Sequence, residues 1–287
     1  MQESTPHDPI AIALAEDIGT GDLTAAYFVP AGEVGCARIV ARQRAVAAGV
    51  ETAAETFKRV DGQLETSVLL PSGSRIQEGS AVLEVRGPVR SILGGERVAL
   101  NFLQHLSGIA TLTDQFVAAV RGSKARILDT RKTTPGLRAL EKAAVKAGGG
   151  ENHRFGLFDM ILVKDNHLAA KSDPPFLREA IRRAAAERPG IRIELEADRL
   201  EQVKAFLEMD GIDVILLDNM TEAEMREAVR MGEGKVLFEA SGGITLDNVA
   251  RVAATGVDFI SVGALTHSAR SVDFSLELLP FDADAFH

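Results

Sequence analysis

Ile191-Arg192-Ile193-Glu194-Leu195-Glu196-Ala197-Asp198-Arg199-Leu200-Glu201-Gln202-Val203-Lys204-Ala205-Phe206-Leu207-Glu208-Met209-Asp210-Gly211-Ile212-Asp213-Val214-Ile215-Leu216-Leu217-Asp218 holds one complete strand–helix–strand unit. Residues 191–195 and 214–217 are short aliphatic runs of strand type, and 200–209 between them is amphipathic at helical spacing. The same alternation extends outward in both directions. Strands are expected at 126–128, 160–163, 236–238 and 259–262, and helices at 137–146, 175–186, 222–231 and 246–254. Such a series implies a parallel sheet with right-handed crossovers. Six strands are too few for an eightfold barrel and suit an incomplete or modified one.

The first hundred residues are written differently. Residues 34–41 and 81–86 alternate as strands, Pro71-Ser72-Gly73-Ser74 reads as a turn, and 10–15 and 51–60 read as helical. From 92 to 120 apolar residues recur at helical spacing (Val98, Phe102, Leu103, Leu106, Ile109, then Leu112, Phe116, Val120), with Gly108 expected as a break. The chain therefore reads as α/β in two styles.

At 287 residues there is ample chain for a large apolar core, and 46% hydrophobic with 25% charged residues is a globular composition. A net charge of −9 disfavours non-specific binding to nucleic acid or anionic membrane. Cys36 is the only cysteine, which excludes an intrachain disulfide and suits a reducing compartment. Glu3, His7, Asp8, Glu16 and Asp17 break any apolar run at the N-terminus. No apolar stretch approaches the roughly 18 residues of a membrane span. The expectation is a soluble cytoplasmic protein.

Against this acidic background, Arg131, Lys132, Arg138, Lys142, Lys146, His153, Arg154, Lys164 and His167 crowd into one segment. That points to a multiply anionic small molecule. No second basic stripe or stacking aromatics accompany it, so a nucleic-acid groove is not indicated. Arg131-Lys132-Thr133-Thr134-Pro135-Gly136-Leu137-Arg138 follows a strand and leads into a helix, which Thr133 or Thr134 can cap and Pro135 can open. Arginine grips planar carboxylates by two bonds, whereas lysine offers a point charge to phosphate. Gly148-Gly149-Gly150-Glu151-Asn152-His153-Arg154 reads as a helix C-cap and a flexible connection that brings cations over an anion. It contains neither a P-loop nor a dinucleotide-binding turn.

The ends of the expected strands deliver Asp129, Arg131, Lys164, Glu196, Asp218, Glu239, Ser241, Ser261 and Gly263. Barrel enzymes place their active sites at these carboxyl ends. Single polar residues there serve as helix caps, but polar groups at all six ends favour a shared pocket. Ser241-Gly242-Gly243 and Ser261-Val262-Gly263-Ala264 offer backbone amides to an oxyanion after the last two strands. Glu196 and Asp218 end neighbouring strands, where they could hold Mg²⁺, ribose hydroxyls or a proton.

Together these segments resemble the quinolinate phosphoribosyltransferase family. The resemblance rests on residues 16–24 (Glu-Asp-Ile-Gly-Thr-Gly-Asp-Leu-Thr), Gly95-Glu96-Arg97, Ser107-Gly108-Ile109-Ala110-Thr111, residues 129–138, Asn152-His153-Arg154, residues 164–167, Leu217-Asp218-Asn219, Ser241-Gly242-Gly243 and Val262-Gly263. It implies an N-terminal α/β sandwich over residues 1–110, an incomplete α/β barrel over 111–268, and a segment, 269–287, that returns to the sandwich through 272–278. It implies a homodimer, or a larger assembly built on one, whose active sites combine the barrel of one subunit with the N-terminal domain of the other. The reaction implied joins quinolinate to 5-phosphoribosyl-1-pyrophosphate, with Mg²⁺, to give nicotinate mononucleotide, pyrophosphate and CO2.

By the same resemblance Thr130, Arg131, His153, Arg154 and Lys164, with Arg97 of the second subunit, hold quinolinate. Lys132, Asn166, His167, Glu196, Asp218, Ser241, Gly242, Gly243 and Gly263 hold phosphoribosyl pyrophosphate. Lys132, Lys164, Glu196 and Asp218 are the catalytic set, and Glu196 and Asp218 the metal ligands, with Glu194 an alternative acid. Neither a nucleic acid nor a membrane is expected as partner. Two other readings are an enzyme on the same scaffold that uses nicotinate, told apart by comparing turnover of the two acids, and a non-catalytic anion binder, told apart by stabilisation without product.

Overall fold

The computed structural model describes residues 8–170 and 173–279. Its elements run α1 (Pro9–Ile18), α2 (Leu23–Phe28), β1 (Val34–Ala41), β2 (Ala45–Val46), α3 (Val50–Val60), β3 (Glu65–Val68), β4 (Arg75–Ile76), β5 (Ala81–Pro88) and α4 (Val89–Ala119). They continue with β6 (Arg126–Leu128), α5 (Arg138–Ala147), β7 (Ile161–Val163), α6 (Asp165–Ala170), α7 (Pro174–Glu187), β8 (Ile193–Ala197), α8 (Leu200–Leu207) and β9 (Val214–Asp218). Last come α9 (Glu222–Gly232), β10 (Leu237–Ser241), α10 (Val249–Ala253), β11 (Phe259–Ser261), α11 (Ala264–His267) and β12 (Phe274–Leu278). The chain divides into two compact units, the first made of residues 1–114, 134–149 and 268–287, the second of 115–133 and 150–267.

In the first unit an antiparallel sheet runs in the order β12-β1-β5-β3, with β2 and β4 paired beside it. Alternation along β1 turns Ala37, Ile39 and Ala41 into the core. α3 contributes Val50, Ala53, Ala54 and Phe57, a one-faced pattern at helical spacing. β12 pairs antiparallel with β1 from Ala37↔Leu278 to Ala41↔Phe274. Gly108 is not a break: α4 runs through it. A Cβ there would collide with the Arg270 carbonyl oxygen, so the glycine admits a backbone rather than ending a helix.

A second expectation also fails. α5 begins at Arg138 behind Leu137, with no side-chain cap. Thr134 instead opens a turn closed by Leu137 N–H on its carbonyl, and its own N–H donates to Glu141 Oε2 at 3.2 Å. That buried carboxylate also faces His105 Nε2 at 2.8 Å and serves the turn as a cap would.

The second unit is the parallel sheet expected from the alternation, six strands in the order β6-β11-β10-β9-β8-β7. Leu128, Val214 and Phe259 pack together although two strands, β11 and β10, separate β6 from β9, so the sheet curves around its inner face. Met160, Leu162 and Leu216 form a second inner cluster. Along β8, Ile193, Leu195 and Ala197 share one face and Glu194 and Glu196 the other, by the two-residue period of a strand. All five are buried.

Candidate functional site

All the expected site residues except Arg97, an exposed residue on α4, belong to the second unit. At the end of β6, Asp129 is fully buried and accepts hydrogen bonds from Asn152 Nδ2 (2.6 Å) and His153 N (2.9 Å). That ties residues 152–154 to the strand end that carries Thr130, Arg131 and Lys132. His153 is gripped further by its ring: Nε2 lies 3.1 Å from Glu194 Oε2 and 3.6 Å from Glu239 Oε2. Its Nδ1 accepts the Arg154 N–H at 2.7 Å.

Arg154 and Arg131 are brought close together. Burial, and then the Arg131 charge, hold the Arg154 guanidinium below its ordinary pKa, against the opposing pull of Glu194 and Asp159. Two partly buried arginines within Coulombic reach of each other can receive an anion with more than one charge.

A second constellation lies at the ends of β7, β8 and β9. Lys164 Nζ meets Glu196 Oε2 at 2.8 Å. The Asp218 carboxyl is raised above the ordinary range by burial first and then by repulsion from Glu196. A hydrogen bond from Asn219 and the charges of Lys164 and Lys132 act the other way. Lys132, Lys164, Glu196 and Asp218 thus feel one another electrostatically. Glu194 faces His153 instead, so of the two glutamates on β8 it is Glu196 that shares the surroundings of Asp218.

The glycine loops adjoin this group. Ser241 is in register with Asp218, and Asn219 N donates to the Ser241 carbonyl at 2.9 Å. Asn219 holds a left-handed backbone (φ 53°), and any Cβ on Gly242 (φ 89°) would run into its side-chain amide. Only glycine fits there. A Cβ on Gly263 would lie 3.0 Å from Lys132 Cδ and 3.2 Å from His267 Nε2, and Thr266 Oγ1 donates to the Lys132 carbonyl at 2.8 Å. At the start of α6, His167 Nδ1 accepts the Lys164 N–H at 2.9 Å while Asn166 stays exposed. Asn219, Thr266 and His267 were missed as supports; the left-handed asparagine beside paired glycines was the one signal available.

The family model described as quinolinate phosphoribosyl transferase, N-terminal domain, matches residues 22–107, and that for the C-terminal domain matches 109–277. The chain belongs to this family. It is 46% identical over 277 residues to the nicotinate-nucleotide pyrophosphorylase [carboxylating] of Mycobacterium leprae, covering 94% of this chain and 96% of that one. It is 42% identical to the probable nicotinate-nucleotide pyrophosphorylase [carboxylating] of Bacillus subtilis, covering 92% and 90%. The solved nicotinate-nucleotide pyrophosphorylase from Francisella tularensis superposes with a TM-score of 0.87 at 36% identity, over 94% of each chain.

Proposed function

We propose that this protein transfers the phosphoribosyl group of 5-phosphoribosyl-1-pyrophosphate to quinolinate with decarboxylation. The products are nicotinate mononucleotide, pyrophosphate and CO2, in NAD biosynthesis. One observation supports the reading: Arg131 and Arg154, which feel each other's charge, and the Lys132–Lys164–Glu196–Asp218 group come from strand ends and a connecting loop of one parallel sheet.

In the mechanism that follows, Arg131 and Arg154 grip the two quinolinate carboxylates, with Thr130, His153 and Lys164 alongside, and so aim the pyridine nitrogen at the sugar. The amides after Ser241, Gly242, Gly243 and Gly263 take the 5′-phosphate. Lys132, Asn166 and His167 face the pyrophosphate, where Lys132 stabilises the charge that builds up as it departs. Glu196 and Asp218 hold the ribose hydroxyls and favour the positive charge that develops on the ribose. Ribosylation leaves a cationic ring nitrogen, which stabilises the electron pair left on the neighbouring ring carbon when its carboxylate departs as CO2; a proton from water then takes that pair to give nicotinate mononucleotide. No covalent nucleophile is needed.

Glu196 and Asp218 also fit Mg²⁺: two oxygen-bearing acids on adjacent strands repel each other enough to raise Asp218, a repulsion a divalent cation relieves. When bound, the ion would neutralise phosphate charge. We further assign the protein to the cytoplasm and to a homodimer in which Arg97 reaches the carboxylate seat of the other subunit. Among the described residues no helix is long and apolar enough to cross a membrane.

The test is incubation of the purified protein with quinolinate, phosphoribosyl pyrophosphate and Mg²⁺, with nicotinate in place of quinolinate as the parallel arm. Nicotinate mononucleotide and CO2 should form from quinolinate. No product, or faster turnover of nicotinate, overturns the reading.

A further inference from the structure

Two acids in the second unit have no part in the reaction above. Glu194, early in β8, and Glu239, in the middle of β10, come from strands separated by β9 and converge on His153 Nε2 at 3.1 and 3.6 Å. They are 1% and 2% exposed, and each leaves one carboxylate oxygen, Oε1, without a hydrogen-bond partner. As filling for the inside of a curved sheet they are a poor choice, because leucine would occupy the space without stripping a carboxylate of water. What leucine cannot supply is direction.

The geometry around His153 shows where that direction goes. Its backbone N–H is fixed by Asp129, its Nε2 bonds to Glu194 with Glu239 Oε2 3.6 Å away, and its Nδ1 receives the N–H of Arg154. An Nδ1 that accepts carries no proton, so the ring is the Nε2–H tautomer donating toward Glu194. Turning the ring would break the bond to Arg154 N, and the backbone of Arg154 would lose its guide. Arg154 lies within Coulombic reach of Arg131, and residues 155–159 behind it are closed by Asp159 accepting from Phe155 N and Gly156 N.

We propose that Glu194 and Glu239 are positioning residues: together they set the His153 ring, and through its Nδ1 they place Arg154 for the substrate carboxylates. This rests on the quinolinate reading given above and adds to it a pair of groups that never touch substrate. The effect belongs to the acid and not to the sugar phosphate.

The experiment compares Glu194→Leu and Glu239→Leu with Glu194→Gln and Glu239→Gln. A glutamine still accepts from Nε2–H; a leucine does not. The leucine variants should raise KM for quinolinate at least tenfold while KM for phosphoribosyl pyrophosphate stays within about twofold and kcat within about threefold. The glutamine variants should recover quinolinate KM to within about threefold of wild type. Folded leucine variants whose quinolinate KM stays within twofold, or whose two KM values rise together, overturn the proposal. Should the leucine variants fail to fold, long-range ¹⁵N spectra of the wild-type imidazoles decide it. A single Nε2–H tautomer at His153 supports the proposal, and a mixture or the opposite tautomer ends it. A wild-type protein that makes no nicotinate mononucleotide would instead refute the underlying reading, and the spectra would still judge the ring.

Discussion

The Glu239 carboxyl is pushed from 4.5 up to about 8, by burial first and by Glu194 second. His153, a hydrogen bond from Ser261 and the charge of Arg192 all oppose that rise. Between those two pH values the folded protein keeps a proton that the unfolded chain has released. The stabilisation is therefore fully present below about 4.5 and is lost as pH climbs through 8. A gap of about 3.5 at about 1.4 kcal/mol each sets a ceiling of about 5 kcal/mol. Relaxation around a buried carboxylate lowers such penalties, so we expect a loss of about 2 kcal/mol between pH 5 and 8.5. Urea unfolding of wild type and Glu239→Gln across that range isolates it, because glutamine is neutral in both states and every other histidine and acid is common to the two proteins. The variant should gain about 2 kcal/mol on wild type from one end of the range to the other. A difference between the two proteins that does not change with pH would refute the reasoning, since Glu239 would then be ionised in the folded state at neutral pH.

Other outcomes follow from the site. Arg131→Ala, which removes a two-bond grip on a carboxylate, should lower kcat/KM for quinolinate about 100-fold or more, with KM for phosphoribosyl pyrophosphate little changed; wild-type kinetics would show that the assignment is wrong. Inactive Arg97→Ala and Lys164→Ala proteins, once mixed and exchanged, should regain part of the activity through hybrid dimers, and no recovery despite proven subunit exchange would count against an Arg97 that acts across subunits. Gly242→Ala forces a side chain into a left-handed backbone and onto Asn219, so it should raise KM for phosphoribosyl pyrophosphate about tenfold and cost about 1–3 kcal/mol of stability; an unchanged KM would detach that loop from the phosphate.

The fold was legible where periodicity carries it and illegible where long-range contacts do. The strand–helix alternation was plain from 126 onward because each strand buries an aliphatic face. The strand read at 191–195 lies at Ile193–Ala197, because Glu194 and Glu196 interrupt the apolar run yet point inward, and an apolar count stops one acid too soon. β3 went unread because its four residues are exposed or half-buried and offer no apolar face to count. Asp129 and His153 stand 24 residues apart and meet through the bridge of Glu151 to Leu128, while His153 and Glu194, 41 apart, meet across the curved sheet. The charged strand ends were readable as candidates; which acid answered which base was not.

That partition of charge is what gives the site its chemistry. The glutamates on β8 alternate in task along one face: Glu194 turns to His153, and Glu196, two residues on, turns to Lys164. The inward acids are thus spent in different ways. One pair lies against a histidine, and on the reading proposed above the other faces the ribose end, where positive charge develops. Burial first, and the Arg131 charge second, lower the Arg154 pKa, against the pull of Glu194 and Asp159. A diacid that settles between those arginines relieves a repulsion built into the folded protein, while a monoacid relieves only part of it. Selection for two carboxylates therefore follows from how the acids are distributed among the strands as much as from the arginines themselves. Moving one of them is the direct way to see it: Glu239→Leu should narrow the preference for quinolinate over nicotinate, because it lets Arg154 swing away from Arg131.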